Sequence, residues 1–382
     1  MSLVVFPFRV EDPEVVLNNL RIAASHPAVD LVLAVGAEAE STFAAVEAAR
    51  SAISAATSTP LDLILQARIG SKRPGKGDGM NTALRYFLTE TSADRLHFYD
   101  ADITSFGPEW ITQAERGADL GYDVVRHFFP RSSTDAMITW MVTRTGFALL
   151  WPGSDLPRVE QPLGGELLFT RPVVEALIAN DRVQAQSDWG IDTLYTFSTV
   201  QAGFSLYETY ISQGKAHALY GGLTDLRAML VECFSAMQSL AGQQIAGAVP
   251  HQVEATDAVP ASITEEVGYN LEVTLRLLSG DWTEGQVGLL EHFPVVVRDG
   301  MLTNRLRPTF LFMDEEAWHD TYEVLLEQFV PGDAEWEALL FRLWVTRVIN
   351  YTVTRALRGY DHSQRYLQAM VAGYVSRAAP GL

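Results

Sequence analysis

The chain has 382 residues, 48% of them hydrophobic, so it is long enough for two domains and apolar enough for a sizeable core. Its 47 acidic and 28 basic side chains give a net charge of −19, which argues against broad binding to nucleic acids or anionic membranes. No apolar run reaches the roughly 18 residues of a membrane span. The N-terminus does not read as a signal peptide, and the lone Cys233 excludes an internal disulfide. We therefore expect a cytoplasmic protein.

The first 220 residues alternate between strand-like and helix-like segments, which predicts an α/β domain whose sheet is covered by helices on both faces. Apolar runs predict buried parallel strands at Leu3–Phe8, Leu31–Val35, Leu61–Gln66 and Leu96–Tyr99, and Ser205–Ile211 is also strand-like. Helical patterns separate the first four strands at Pro13–Ala24, Ser41–Ala56 and Gly77–Leu88. Ligands of such sheets bind at the carboxyl ends of the strands.

Residues 221–382 are predicted to form a mainly α-helical C-terminal domain that also provides an oligomer interface. Ala246–Pro260 is typical of a linker or exposed loop. Tryptophans 318, 336 and 344 are expected to pack this part together. Its predicted helices are Leu223–Leu240, Ser262–Leu278, Thr283–His292, Glu315–Gln328, Ala334–Arg355 and Ser363–Ala378.

Asp100 and Asp102 follow the fourth predicted strand directly. Two carboxylates at a strand end suit a divalent cation that shares its oxygen ligands with a nucleotide diphosphate. The alternative is a pair of capping or surface aspartates. The loop Lys72–Asn81 contains two lysines, one arginine and three glycines and enters a helix at about Met80. It is typical of a phosphate-binding loop, although a solvated basic turn has the same composition.

Three further motifs are candidates for the same site. Asp188–Asp192 combines a tryptophan with two carboxylates, which suits sugar hydroxyls, and also fits a helix capped by Asp188 with Ile191, Leu194 and Tyr195 buried. His217, after Gly214-Lys215-Ala216, is the best candidate histidine ligand, although a lone histidine is more often structural. Arg131–Met137 places a guanidinium before a helix start, an arrangement that suits a small carboxylate or is a simple capping segment.

Four segments carry a resemblance to a known family: 73–88, 97–108, 133–141 and 187–197. The chain closely resembles the mannosylglycerate synthases, retaining glycosyltransferases of the GT-A fold, over essentially its full length. The resemblance implies an α/β, nucleotide-diphospho-sugar transferase fold with a Rossmann-like mixed sheet in residues 1–220, followed by the helical domain. It also implies transfer of mannose from GDP-mannose to D-glycerate, giving the compatible solute α-mannosylglycerate, with a divalent cation (Mg²⁺ or Mn²⁺, or alternatively Ca²⁺). The protein is expected to form a dimer or larger homo-oligomer.

The resemblance also assigns roles to individual residues. Asp102 and His217 are the expected metal ligands, and Asp192, Lys76 and Asp100 the expected catalytic residues. The donor is expected to contact Pro7, Phe8, Arg9, Val10, Glu11, Gln66, Lys76, Asp100, Leu163, Asp192 and Tyr220. The acceptor is expected to contact Arg131, Ala136, Met137, Ile138 and Thr139. Arg9 departs from the lysine expected of the family, which keeps the charge but changes the hydrogen-bond geometry.

Because no second carboxylate is an unambiguous nucleophile, we expect a front-face attack in which Asp192 orients the sugar. Two other functions fit part of the pattern. A sugar-nucleotide pyrophosphorylase also has strand-end carboxylates and a glycine-rich basic loop, but that loop should follow the first strand, where Pro7–Glu11 has no glycine. A non-catalytic sugar-nucleotide sensor would have the same binding residues.

Overall fold

The computed structural model describes residues 1–38, 40–216, 222–256 and 267–379. These residues divide into two compact units. The first unit comprises Met1–Pro130, Val159–Ala218 and Gln244–Pro260, and the second comprises Arg131–Arg158, Leu219–Gln243 and Ala261–Leu382. The predicted domain boundary between residues 220 and 221 lies outside the described residues and stays a prediction. No helix in the described part of the chain is long and apolar enough to cross a membrane.

The first unit contains an eight-stranded sheet in the order β3-β2-β1-β4-β6-β5-β7-β8. Its strands are β1 (Ser2–Phe8), β2 (Val29–Gly36), β3 (Leu61–Leu65), β4 (Arg95–Phe98), β5 (Val124–Phe128), β6 (Leu167–Thr170), β7 (Leu206–Tyr210) and β8 (His251–Val253). Every described pairing is parallel except those of β6, which runs antiparallel to both β4 and β5. The mixed sheet implied by the resemblance is therefore confirmed.

The apolar content of β1 explains its central position, because Leu3, Val4, Val5 and Phe6 are all fully buried and so pack on both faces of the sheet. The helices of the first unit are α1 (Pro13–Ala24), α2 (Ser41–Thr57), α3 (Lys76–Glu90), α4 (Pro108–Asp119), α6 (Arg171–Ile178), α7 (Asp181–Ala185) and α8 (Ile191–Gln201). Helix α1 begins where predicted because Asp12 accepts a hydrogen bond from the Glu14 amide and Pro13 occupies the first turn.

The second unit is helical throughout its described elements. Its helices are α5 (Thr145–Leu150), α9 (Arg227–Ser239), α10 (Leu271–Ser279), α11 (Glu284–Leu289), α12 (Val295–Asn304), α13 (Glu315–Gln328), α14 (Ala334–Thr354) and α15 (Tyr360–Ala378), and a π-helix at Thr139–Arg144 leads into α5. Trp318, Trp336 and Trp344 are buried in it, as expected. The helical C-terminal region is confirmed.

Two predictions for residues 246–278 were wrong. The segment expected as a linker contains β8, a short edge strand that pairs with β7. The helix expected from Ser262 begins only at Leu271, where the Asn270 side chain accepts a hydrogen bond from the Val273 amide and caps it. Residues 262–266 of that prediction lie outside the described residues.

Candidate active site

Strand direction decides which side chains meet in the first unit. The carboxyl ends of β1, β4, β5 and β7 lie along one edge of the sheet because these strands are parallel. Since β6 runs the other way, its first residues lie at that same edge. Asp100 follows β4, Lys215 follows β7 and Glu166 directly precedes β6. The three side chains are in contact there.

Asp100 is held by two lysines from different elements. One carboxylate oxygen, Oδ2, accepts a hydrogen bond from Lys215 Nζ at 2.6 Å, and the other, Oδ1, lies 3.3 Å from Lys76 Nζ. Lys76 also donates to Asp192 Oδ2 at 3.0 Å. Lys215 donates to Glu166 Oε1 at 2.6 Å. We call Lys76, Asp100, Glu166, Asp192 and Lys215 the charge cluster.

The charge cluster is largely shielded from solvent, with Asp100 the most exposed of its five side chains, at 29%. Burial acts to raise the pKa of Asp100, but the ammonium groups of Lys215 and Lys76 outweigh burial and hold that pKa well below its usual range. Burial acts to lower the pKa of Lys76, whereas Asp100 and Asp192 raise it above its ordinary value. Asp100 and Lys76 are therefore a fixed ion pair at neutral pH.

The pKa values of the other two carboxyl groups of the charge cluster, Asp192 and Glu166, are set mainly by burial. Burial raises the pKa values of Asp192 and Glu166 above their ordinary range, although Lys76 opposes this at Asp192 and Lys215 opposes it at Glu166. Asp192 Oδ1 and Glu166 Oε2 are buried and have no hydrogen-bond partner among the described residues. Such acceptors are costly unless something else satisfies them.

Helix α3 places Lys76 in its first turn. It begins at Lys76, one residue before the predicted helical segment Gly77–Leu88 and ahead of Met80, where the loop was expected to enter the helix. Asp78 in the same turn is buried and accepts hydrogen bonds from the Ile69 and Gly70 amides and from Arg68. This carboxylate holds the preceding loop against the helix. Lys72, by contrast, is exposed at the tip of the loop.

Helix α8 supplies Asp192 in its first turn, and Asp192 is almost fully buried. Ile191, Leu194 and Tyr195 are buried as predicted. The predicted helix cap was wrong, because Asp188 accepts a hydrogen bond from the Gly190 amide, before the helix, and Gly190 is the capping residue. The Trp189 ring centroid lies 5.5 Å from Lys76 Nζ.

Asp102 lies in the turn after β4, half-buried. Asn19 on α1 fixes the backbone on both sides of this turn by donating to the carbonyls of Ala101 and Ile103. The next residues are tied to the chain that follows β7, because the Thr104 amide donates to the Ala216 carbonyl at 2.8 Å and the Ala216 amide donates to Ser105 Oγ at 2.9 Å. His217, the second expected metal ligand, lies outside the described residues.

The residues expected to bind the nucleotide surround the end of β1. Burial raises the pKa of Glu11, and the nearby negative charges of Asp102 and Asp100 raise it further, so these three carboxylates share one negative region. Arg9 is exposed and pairs with Glu38 at 3.1 Å, and Val10 is exposed as well. Phe8 is buried and packs on Phe43.

Gln66 and Pro7 lie together beside α3. A Cβ atom on Gly79 would be 3.1 Å from Gln66 Oε1 and 3.6 Å from Pro7 Cβ, so this glycine allows the two segments to approach. Leu163 is half-buried in the segment before β6. Tyr220 lies outside the described residues.

The expected acceptor residues lie in the second unit. Arg131 donates to Asp135 Oδ2 at 2.9 Å, and Asp135 Oδ1 accepts from the Ala136 amide at 2.6 Å. Ala136 has a φ of 57°, which is unusual for a residue with a side chain. Met137, Ile138 and Thr139 follow with buried side chains, and the π-helix begins at Thr139. Strained backbone and π-helical turns both occur often at functional sites.

Two further site residues, Glu166 and Gly165, were not predicted from the sequence. A Cβ atom on Gly165 would be 2.5 Å from Asp100 Oδ1 and 2.6 Å from Lys76 Nζ, so a larger residue here would displace this ion pair. The available signal was Gly164-Gly165-Glu166 directly before an apolar run. Glu166 precedes its strand, whereas ligand-binding residues of such sheets are expected after the carboxyl ends of strands.

Comparison with known proteins identifies the family. Residues 2–239 match the family model described as "Mannosylglycerate synthase, GT domain", and residues 263–371 match "Mannosylglycerate synthase C-terminal domain". The chain belongs to the mannosylglycerate synthase family. A mannosylglycerate synthase from Rhodothermus marinus is 61% identical over 379 residues, which covers 99% of this chain and 96% of that protein. One from Selaginella moellendorffii is 55% identical over 378 residues, covering 97% and 89%.

The fold comparison agrees. A crystal structure of glucosyl-3-phosphoglycerate synthase from Mycobacterium tuberculosis in complex with phosphoglyceric acid superimposes with a TM-score of 0.50 at 19% identity, over 65% of this chain and 82% of that one. The predicted GT-A-like glycosyltransferase fold is therefore confirmed. The resemblance to the mannosylglycerate synthases, and with it a mannosylglycerate synthase activity, is confirmed as well.

Proposed function

We propose that this mannosylglycerate synthase transfers mannose from GDP-mannose to D-glycerate with retention of configuration at the sugar carbon and with the help of a divalent cation. Two curated relatives at 55–61% identity carry the name mannosylglycerate synthase, which supports mannose and glycerate as the joined units. The observation that carries the proposal is the charge cluster beside the Asp102 turn. It combines two buried ammonium groups with carboxylates at the ligand-binding edge of the sheet.

The residues near Asp102 fit a hard divalent cation. Asp102, Asp100 and Glu11 form a region where negative charges act on one another, and carboxylate oxygens are the ligands that Mg²⁺, Mn²⁺ and Ca²⁺ accept. We propose Asp102 and His217 as the protein ligands. A bound cation would offset the charge that develops on the leaving diphosphate.

The residues of the charge cluster have separate proposed roles. Lys76 is positioned to stabilise negative charge on the leaving phosphate, because its ammonium group is buried. Lys76 also lies in the first turn of α3, where the backbone N–H groups of a helix N-terminus favour an anion. Asp100 holds that ammonium and contacts the nucleotide. Asp192 accepts hydrogen bonds from the transferred sugar through its unpartnered Oδ1.

In the proposed step, the bond between the sugar carbon C1 and the diphosphate oxygen breaks while the 2-hydroxyl oxygen of glycerate bonds to C1 on the same face. The departing phosphate takes the hydroxyl proton, and Arg131 binds the glycerate carboxylate. No carboxylate nucleophile takes part. Asp192 is bound to Lys76 at 3.0 Å, which suits an orienting role. A mannosyl adduct on Asp192, trapped and detected by mass spectrometry, would overturn this mechanism.

The test is an assay of GDP release from GDP-mannose with and without D-glycerate, together with isolation of the glycoside and determination of its anomeric configuration. Acceptor-dependent release with an α-product supports the proposal. GDP binding without turnover would instead indicate the non-catalytic sensor. The same assay with GDP-glucose, lactate and glycolate measures how narrow the donor and acceptor sites are.

We also propose a cytoplasmic homo-oligomer. The single cysteine, Cys233, is buried and forms no internal disulfide, which suits a reducing compartment. The second unit exposes several large apolar side chains, Val295, Val296, Leu306 and Leu311, which supports a contact between copies in this region. Light scattering coupled to gel filtration measures the mass. A monomer at micromolar concentration would contradict the oligomer.

A further inference from the structure

Glu166 is a fully buried carboxylate directly before β6. Because β6 pairs antiparallel with β4 so that Leu167 lies opposite Phe98, the register brings Gly165, the residue before Glu166, beside Asp100. With no solvent-accessible surface, Glu166 cannot touch a ligand bound at the site surface. Any role it has must therefore pass through the groups that it contacts.

The contact that matters is Lys215. A lysine side chain has four rotatable bonds, so a single hydrogen bond does not fix its ammonium group. Here Nζ is held at 2.6 Å from Glu166 Oε1 and at 2.6 Å from Asp100 Oδ2. The two contacts together fix the position of the Lys215 ammonium group, and with it the position of the Asp100 carboxylate that this ammonium group binds.

The residue before Glu166 closes the other side of Asp100. Because a Cβ atom on Gly165 would lie 2.5 Å from Asp100 Oδ1, the backbone at this point packs directly against the carboxylate. Asp100 is thus confined by Lys215, Lys76 and the 165–166 backbone, and only its remaining surface faces outward. Residues 165 and 166 thus provide both the backbone that packs against Asp100 and the carboxylate that binds Lys215.

We propose that Glu166 is a positioning residue of the donor site: it anchors Lys215 and thereby fixes Asp100 for contact with the nucleotide diphosphate. This inference rests on the proposed function for the identity of the ligand. Stability alone does not account for Glu166, since buried ion pairs are often replaceable by apolar side chains at no cost in stability. Its second oxygen, Oε2, has no hydrogen-bond partner among the described residues, which adds a cost.

The primary variant is Glu166→Leu, with Glu208→Leu as its matched control. Glu208 is equally buried in the same sheet and has one basic partner, His251 Nε2 at 2.8 Å, but it has no contact with the charge cluster in the described part of the chain. Each variant is assayed for kcat and KM with both substrates. The dissociation constant of GDP in the presence of Mn²⁺ is measured by calorimetry, and the free energy of unfolding by urea denaturation.

We expect Glu166→Leu to lower kcat/KM for GDP-mannose by about 10- to 100-fold, by analogy with the loss caused by removing a partner that orients a metal-ligating side chain. The KM for D-glycerate should not change, and GDP should bind more weakly. Glu166→Gln should show a smaller loss of the same parameters, because its amide oxygen still accepts from Lys215 without the charge. Glu208→Leu should lose stability and keep the kinetic constants. If Glu166→Leu does not fold, Glu166→Gln carries the test.

A double variant tests the route through Lys215. If Glu166 acts only by anchoring that lysine, adding Glu166→Leu to Lys215→Met should cause no further loss of kcat/KM or GDP affinity. Additive losses would overturn the proposal, as would wild-type donor kinetics and GDP affinity in Glu166→Leu.

The failure of the proposed function gives a different result. Wild-type protein that binds GDP with Mn²⁺ but does not transfer mannose would refute the activity, while GDP affinity would still measure the effect of Glu166. Wild-type protein that does not bind GDP would overturn both.

Discussion

Gly165→Ala is the most direct test of the charge cluster because it adds a single methyl group beside the Lys76–Asp100 pair. The new Cβ would lie 2.5 Å from Asp100 Oδ1, whereas ordinary contact begins at about 3.4 Å, so Asp100 or the backbone must move by about 0.9 Å. Gly165 does not have a positive φ, so the substitution adds a steric clash and no backbone strain.

That displacement lets us estimate both the loss of stability and the loss of catalytic rate. Forcing an extra carbon into a packed interior costs about 1–3 kcal/mol of stability. A misplacement of about 1 Å at a reacting centre lowers the rate by about 10²-fold. We therefore expect a folded protein whose kcat/KM for GDP-mannose is reduced about 100-fold, measured by GDP release at saturating D-glycerate. Urea denaturation gives the accompanying loss of stability.

The control is Gly373→Ala in α15. No atom lies within 4 Å of a Cβ built on Gly373, so alanine should stabilise this helix by up to about 1 kcal/mol and leave the kinetics unchanged. Wild-type kcat/KM in Gly165→Ala would refute the reasoning, because it would mean that Asp100 and Lys76 can move without consequence.

Three further outcomes are expected. Asp102→Ala should abolish metal-dependent turnover with the urea unfolding transition retained; activity equal to wild type would show that the metal site is misassigned. Arg131→Ala should raise the KM for D-glycerate by about 10- to 150-fold, which corresponds to the loss of a charge-assisted hydrogen bond worth about 1.5–3 kcal/mol; an unchanged KM would remove Arg131 from the acceptor site. Burial acts to raise the pKa of Glu115, but hydrogen bonds from His97, Ser2 and Arg95 lower it from 4.5 to about 2, so stability should fall as the pH drops from 4.5 towards 2. Urea denaturation over that range should show a weaker dependence on pH for Glu115→Gln, and an identical dependence would contradict the assignment.

Elements with strong local signals were predicted closely from the sequence. Helices α1 and α13 have the predicted bounds because Asp12 and Asp314 cap their first turns. The direction of β6 had no such signal, since the apolar run Leu167–Phe169 is compatible with either direction. β8 was missed because a polar three-residue edge strand resembles a loop and is defined by its pairing with β7.

Site residues that belong to a local motif could be predicted from the sequence. Site residues that meet only because of the order and direction of the strands could not. Asp100 and Lys76 were identified from local motifs, and the structure brings them together. Lys215 was noted only as part of the His217 motif, and Glu166 was not identified, because their proximity depends on the order and direction of β4, β6 and β7. No local pattern encodes those pairings. The roles of the individual residues in catalysis stay predictions.

The scarcity of lysine has a practical consequence for labelling. Of the three lysines, Lys76 and Lys215 have their ammonium groups held by buried carboxylates, and only Lys72 is exposed. The pKa of Lys76 is raised above its ordinary value, which keeps it protonated and unreactive. An amine-reactive fluorophore should therefore modify a single lysine side chain, Lys72, at the tip of the loop that leads into α3. A dye at that position would test optically, without any engineered cysteine, whether this loop responds to an added nucleotide.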